Sequence, residues 1–477
     1  MLILPQTIYN SYLNKLIDET KEVFSSVVDP TNQSYTIRNY TNSIEKVSDV
    51  LQELGRNIMV ELINKMDLDF KNSPNRLKSF YVKDTRERTI ITPVGVITYR
   101  RTIYQCRSTK SCFTYVDRKL GLPRYDKYDP CVKAMIAETH ATQNSMIKTG
   151  ELVGQRIFSI FSTKEEKNNF NISRQTVHNV LKNIALIKPS YTEVENTPSD
   201  IYIMADEKYV HLQGEPSQVR QSGLTVNVMV KQAVIYDDIE TQGKRNTLQN
   251  RIVYSSIDGN FWNNVLDIIS QRYDIDKIQN IHISGDGAKW ITASTSTIPK
   301  SIYYLDKFHY KQALRLMLLD ADDRWIAESY INGNNKKDFK KIAESLILLE
   351  SNEHRSESAI SKMDYIKNNW NAIQRSLQPD YHGCGMEGQI SHNLAAPLTS
   401  RPKAYARENL RRYLILTDGV RNGVDLMNLY LDTFDLPHSN KHVTVSKEEF
   451  DFSMFEQKNS SDKSSRSNWL KGFISQN

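Results

Sequence analysis

Cysteine is scarce: Cys106, Cys112, Cys131 and Cys384 are the four in 477 residues, and none sits in a CxxC pair. That spacing lends little support to a structural zinc site and fits a reducing compartment. Long apolar runs are missing too. No window reaches about 18 uncharged apolar residues, the length a membrane helix needs. The opening MLILPQTIYN has no basic segment ahead of an apolar one, so neither a membrane span nor a secretory leader is expected. No DxDxDG run of the EF-hand kind occurs, which ranks a structural Ca²⁺ site last among the readings of the acids below. Strongly one-sided charge is absent: 62 Lys and Arg against 56 Asp and Glu leave +6. This mild excess fits a polyanionic partner without requiring one.

What remains is ample for cores, with 39% hydrophobic and 9% aromatic residues. The length allows roughly two to four domains. Residues 1–85 read as helical, because Ile44, Val47, Leu51, Leu54 and Ile58 recur at three- and four-residue steps. That stripe suits a helix packed on its own domain, or a short coiled-coil seam interrupted by Gly55. Residues 86–128 are rich in β-branched and aromatic residues. Val94–Tyr104 and Cys112–Val116, separated by a polar turn at Arg107–Ser111, predict a β-hairpin. Arg100, Arg101, Arg107 and Lys110 make it basic, as a phosphate contact or as an ordinary solvated ribbon.

Residues 129–197 read as short helices carrying a helix-turn-helix-like unit. Ser173 is a good N-cap. Val177, Val180 and Leu181 can turn inward while Arg174, Gln175, His178, Asn179 and Lys182 project outward, as on a helix that reads DNA.

Strands dominate from Ile201. The expected order is Ile201–Ala205, Leu224–Val230 and Arg251–Tyr254, a helix over Phe261–Tyr273, strands Ile281–Ile283 and Ile302–Leu305, and a helix from His309 to Leu319. Three strands followed by alternating helices and strands is the order of an α/β ribonuclease-H-like core, here over 198–319. Residues 320–380 break the rhythm and predict an all-helical insertion. The core resumes over 381–437, and 438–477 form a polar tail.

Three acids stand out in that frame. Asp206 ends the hydrophobic strand Ile201–Ala205. Asp286 lies in Ser284-Gly285-Asp286-Gly287, where glycines turn the chain sharply and leave the carboxylate unshielded. Glu387 enters a helix from a Gly-rich stretch. Two strand-end aspartates and a helix glutamate form the set that binds paired Mg²⁺ in polynucleotidyl transferases, since hard divalent cations want carboxylate oxygens. In the expected fold the strands bearing Asp206 and Asp286 lie side by side. Glu207, one position on from Asp206, is expected on the opposite face. Downstream of Glu387, Arg401, Lys403, Arg407, Arg411 and Arg412 form a basic run, with Arg407 and Arg411 on one helix face as phosphate contacts or as a solvated surface.

The motifs ADEKYVHLQ around Asp206, SGDGAKW around Asp286, LDKFHY at Leu305–Tyr310, GMEGQISHNLAAPLTSRP from Gly385 and VDRKLGLP at Val116–Pro123 resemble the Mutator-like superfamily of DDE transposases. They are most similar to the ISLre type of bacterial insertion sequences, over roughly residues 85–425. The resemblance implies a triad of Asp206, Asp286 and Glu387. It also implies an Asp306-x-x-His309 pair, with His309 either orienting the scissile phosphate or simply bonded to Asp306 at a helix start. It further implies two Mg²⁺ ions, with Mn²⁺ able to substitute, cleavage at the element's ends and strand transfer into target DNA by two-metal phosphoryl transfer. The implied partners are element-end and target DNA and further copies of the chain. The implied place is the cytoplasm, at the nucleoid. A Mg²⁺-dependent nuclease on the same core and a non-catalytic DNA-binding derivative are the rival readings.

Overall fold

The computed structural model describes residues 37–157, 172–184, 191, 193–213, 226–243, 245–348, 353–400 and 403–428, with scattered positions within 10–21. The architecture is mixed α/β. It opens with helix α1 (Ile37–Asn72), which leads through a short helix, Pro74–Ser79, into a three-stranded antiparallel sheet. Strands β1 (Phe80–Thr92) and β2 (Gly95–Cys106) pair along their whole length, and β3 (Cys112–Thr114) adds to the far side of β2. The β2–β3 hairpin is as the sequence predicts. The longer β1–β2 hairpin is not: β1 begins inside the stretch read as helical to residue 85. Its middle, Lys83–Arg88, is charged and points largely to solvent, so apolar alternation is hidden where it would have signalled a strand.

Helix α1 is split in role. Its C-terminal half packs on β2, with Ile63 buried beside Ile90, Ile97 and Tyr99. Its N-terminal stripe stays open, with Ile44 and Leu51 each 52% and Val47 38% exposed. Asp117, from the VDRKLGLP motif, is buried and structural. It accepts from Tyr99 Oη at 2.9 Å and Thr114 Oγ1 at 2.7 Å, and pairs with Arg88 at 2.8 Å and with Arg101. Arg101 is thereby removed from the basic surface of the hairpin.

Helices α2 (Pro130–Gln143), α3 (Met146–Ile157) and α4 (Arg174–Ile184) pack on one another. Asn144, left-handed at φ 46°, makes the tight turn between α2 and α3. Residues 158–171, between α3 and α4, lie outside the described residues, so part of the stretch read as a helix-turn-helix-like unit lies there too.

The second sheet has β4 (Asp200–Leu212) at its centre. Strands β5 (Val226–Tyr236) and β8 (Ile252–Ser256) extend it antiparallel on one side, and β9 (Asn280–Gly285) and β10 (Ser301–Leu305) extend it parallel on the other. A small hairpin, β6 (Asp238–Gln242) and β7 (Arg245–Gln249), interrupts the run between β5 and β8. It escapes the sequence reading because its residues are polar and exposed.

Strand alternation divides the sheet residues between two cores. Ile201, Ile203 and Ala205 face α5 (Phe261–Arg272), α6 (Lys307–Met317) and a run of four helices. These are α7 (Ala321–Asn332), α8 (Lys336–Leu348), α9 (Glu353–Asn368) and α10 (Trp370–Ser376), where the sequence predicts an all-helical stretch. Met204, Val210 and Leu212 face α11 (Met386–Ile390), the π-helical turn Ser391–Ala395 and α12 (Arg407–Arg421).

Asp418 ties α12 to the sheet. It is buried and accepts from the Ser255 backbone N–H at 2.5 Å, Ser255 Oγ at 3.2 Å and Arg421 Nη1 at 3.2 Å. Burial pushes its pKa up to about 7, against the pull of Arg421 and Ser255. An acid that holds its proton longer when folded contributes stability that is complete below its unfolded pKa, about 3.9. That contribution is lost as pH rises through the folded value. Wild type should therefore lose more stability than Asp418→Asn between pH 5 and pH 7, on the order of 1 kcal/mol per pH unit. Urea titrations at the two pH values measure this, and equal slopes for both proteins would refute the assignment.

Candidate active site

The site forms where β4 outruns its parallel neighbour. The β4–β9 register ends at Met204 opposite Ser284, while β4 continues for eight residues. Asp206 and Glu207 thus lie beside the end of β9, where the chain turns at Asp286. Oxygens of Asp206, Glu207 and Asp286 come within 4.8 Å of one another.

The turn itself is tightly built. Ala288 donates its N–H to Asp286 Oδ1 at 2.8 Å. A Cβ on Gly285 would lie 2.9 Å from both the Ala205 carbonyl and the Ile291 side chain. Gly287 sits at φ +89°, and a Cβ there would press on Leu305 and Tyr365 at 3.1 Å. From α9, the Tyr365 hydroxyl donates to the Asp286 carbonyl, and Tyr303 donates to that of Gly285 at 3.2 Å. The helices after β10 therefore buttress the acid-bearing turn.

Asp206 and Asp286 meet as the sequence predicts. Glu207 does not keep away. It does stand on the Trp290 side of the strand, accepting from the indole Nε1 at 2.5 Å. With β9 ended, however, that edge of β4 is open, β5 alone pairing there, and the longer Glu207 side chain reaches the cluster. Glu387, the expected third acid, is exposed in the first turn of α11, outside the tight three-carboxylate group. It lies near enough to Asp306 to raise that residue's pKa. Asp306 caps α6 through Phe308 N–H at 3.3 Å, and His309 Nε2 stands 3.9 Å from its Oδ2.

Burial, then mutual repulsion, governs the charges. Asp206 is shifted upward by burial and by Asp286 and Asp306, and eased by His309. Glu207 is raised by burial and by Asp286 and Asp206, against the Trp290 hydrogen bond and Lys231. Burial also raises Asp306 and the neighbouring thiol of Cys384. Three half-buried carboxylates, offering oxygen alone, fit a hard divalent cation such as Mg²⁺.

The predicted DNA-contacting residues fall into separate places. Helix α4 starts after Ser173, whose Oγ accepts from Thr176 N–H at 3.2 Å, and buries Val177, Val180 and Leu181 as expected. Arg174, Gln175, Asn179 and Lys182 are exposed, with Gln175 Nε2 donating to Asn179 Oδ1 at 2.9 Å. His178 does not project outward. It is half-buried in a cleft that α12 also lines. Arg411 is engaged internally by Asp258 at 2.6 Å and by Glu408, while Arg407 is exposed. Arg401 lies outside the described residues.

A family model described as an uncharacterised protein family, UPF0236, matches residues 37–432. The chain belongs to the UPF0236 family. Among similar relatives is UPF0236 protein TTE2489 of Caldanaerobacter subterraneus subsp. tengcongensis. It is 28% identical over 422 residues, covering 87% of this chain and 85% of its own. A second, from the same organism, bears a name that joins eleven locus labels from TTE0033 to TTE2212. It is 29% identical over 395 residues, covering 81% of this chain and 79% of its own. A third, at 27% identity, joins four labels from TTE0610 to TTE2432 and covers 87% of this chain and 84% of its own. Among solved structures, the Drosophila P element transposase strand transfer complex aligns at 12% identity with a TM-score of 0.22. The alignment covers 67% of this chain and 83% of that one, and so loose a match carries no weight here.

Charge crowding at the sheet edge should be measurable without any substrate. Asp206→Asn removes one buried, repelled charge and keeps the shape, so it should raise the melting temperature in EDTA. It should also shrink the stabilisation that added Mg²⁺ gives wild type. Calorimetry with and without Mg²⁺ tests both, and a lower melting temperature in EDTA with an undiminished Mg²⁺ effect would count against the site.

Proposed function

We propose that this UPF0236 chain is a Mg²⁺-dependent DNA transposase on a ribonuclease-H-like core, of the Mutator-like, ISLre type. The observation that carries the reading is the convergence of Asp206, Glu207 and Asp286 oxygens within 4.8 Å at the end of β9. The strand order β8-β5-β4-β9-β10, antiparallel then parallel, supports that core. So does the position of α7–α10 between β10 and the glutamate helix. The naming of one relative by eleven loci of a single organism adds support. A protein repeated at many loci is what self-copying DNA leaves behind.

In this reading Asp206 and Asp286 hold the ions, with Glu207 or Glu387 as the third carboxylate. Two Mg²⁺ ions, or Mn²⁺ in their place, would supply activation of water or a DNA 3′-OH and stabilisation of the leaving oxygen. Asp306 holds α6 in place, and His309 meets the scissile phosphate from the start of that helix. Trp290 and Tyr365 fix the acids from either side. Gln175, Asn179 and Lys182 on the open face of α4, with Arg174 at its start, contact the element ends. Arg407 meets phosphate, while Arg401 and Arg411 have weaker claims. The domain division is the one drawn from sequence, with the helical N-terminal part ending at Ser79. Copies of the chain pair the two ends, acting on DNA in the cytoplasm. No described helix is long and apolar enough to cross a membrane.

The test uses purified protein, Mg²⁺ and duplex DNA carrying the sequences that flank its gene, with all products sequenced. Asp206→Asn, Asp286→Asn and the true third acid among Glu207→Gln and Glu387→Gln should fall to background cleavage while still binding DNA. Cleaved and joined products support a transposase, and cleavage without joining supports the nuclease alternative. Near-wild-type cleavage by the Asp206 or Asp286 variant would remove that residue from the metal set.

Recognition is separable from chemistry. A base-edge contact is worth roughly 1–3 kcal/mol of discrimination. Gln175→Ala with Asn179→Ala should therefore lower the preference for flanking-end over random DNA in a competition assay. An unchanged preference in the folded double variant would place sequence reading elsewhere in the chain.

A further inference from the structure

A cleft of about 270 Å³ opens between α2, α4 and α12, beside the end of β4 and away from the acid cluster. Among the described residues that line it there is no Asp or Glu, although the chain has 56. Arg174 and Arg412 line it, and among the described residues neither forms an ion pair. The contrast with Arg411, one position away and held by Asp258 and Glu408, is direct. Arg412 Nη1 donates to Asn409 Oδ1 at 3.2 Å, which leaves the Asn409 amide N–H groups for another acceptor. Gln213 adds a second amide at the rim. Among the described residues, the buried Nδ1 of His178 has no hydrogen-bond partner. A buried polar atom of that kind calls for one.

The floor differs in chemistry. Leu181, Leu416 and the ring of Tyr413 are buried there, and the exposed Ile147 adds apolar surface to the lining. A bare phosphate would use the guanidinium groups and leave this floor idle. A ligand with an anionic end and a flat, apolar body carrying hydrogen-bonding edges would use both. The volume lies near the lower end of ligand pockets, roughly 300–1,000 Å³, so one nucleotide enters and a duplex does not.

We propose that this cleft holds a single phosphate-bearing nucleotide. Arg174 and Arg412 take the phosphate, Asn409 and Gln213 read the base edge, and the apolar floor takes the base. The inference rests on the DNA-transposase reading in taking that nucleotide to be an unpaired one of a DNA strand. A free mononucleotide has the same chemistry and is the second source to be distinguished.

The experiment uses the full chain in EDTA, with fluorescence anisotropy of two labelled probes. One is a blunt 20-base-pair duplex. The other is the same duplex with a five-nucleotide single-stranded 3′ extension, and dAMP serves as competitor. Wild type should bind the extended probe about tenfold more tightly, a fold-change typical of one added base contact. Arg174→Ala with Arg412→Ala should bring the ratio of the two affinities near one. Gln213→Ala with Asn409→Ala, which leaves both arginines in place, should lower that ratio too, and melting curves verify that each variant is folded. Preference for the extension assigns a strand nucleotide. A dAMP-induced rise in melting temperature, lost in the arginine variant and without extension preference, assigns a free nucleotide. The proposal is overturned if wild type shows neither effect, or if both folded variants keep whichever effect wild type shows. Wild type that cleaves DNA in Mg²⁺ but shows neither effect loses the cleft and keeps the transposase. The reverse result keeps the cleft and loses the transposase.

Discussion

Most of this chain's chemistry depends on one mismatch of strand lengths. β4 runs from Asp200 to Leu212, while its parallel partner β9 stops at Gly285. Parallel pairing aligns Ile201 with Ile281 and Met204 with Ser284. It thereby brings together acids that are 286 − 206 = 80 positions apart in sequence. Because β4 outlasts β9, its next residues pair with β5 alone and have no strand on the β9 side, and both carboxylates reach the turn that carries Asp286.

Like charges at such separations repel, and burial worsens the repulsion. The surroundings hold the cluster together without metal. An indole N–H meets Glu207, a backbone N–H meets Asp286, and the Tyr365 hydroxyl pins the turn's carbonyl. Tyr365 comes from α9, within the helical run that follows β10. That run therefore does more than extend the hydrophobic core. It closes one wall of the site, so damage to its packing at Phe339, Ile366 or Trp370 would reach the acids through Tyr365.

Cations are sorted just as sharply. Arg88 and Arg101 serve the buried Asp117, and Arg411 serves Asp258 and Glu408. Arg88 and Arg101 are internal struts in the fold, and Arg411 is held in a half-exposed pair. Two arginines without such duties, Arg174 and Arg412, converge on one cleft although 238 positions separate them, 412 − 174. A net charge of +6 says little about binding. Which guanidinium groups are left unpaired says more.

Local pattern alone made much of this legible. The five strands of the β4 sheet, the helices of residues 321–376 and the inward face of α4 follow from pattern, because each buries apolar residues and the sequence records it. The pairing of Asp206 with Asp286 was legible only through an assumed strand order. The sequence was misleading where contact overrides pattern. β1 hid behind its charged, solvent-facing middle. Glu207 joined the acids because a neighbouring strand ended. His178 is half-buried because its edge of α4 borders the cleft that α12 also lines. Sequence by itself thus determined most of the elements and the turn that carries Asp286, since those depend on neighbours a few residues apart; Asp206, read as ending a strand, lies inside β4. Only the tertiary structure decided which carboxylates meet and which arginines stay free, because strand length, register and helix docking are set by contacts between distant segments.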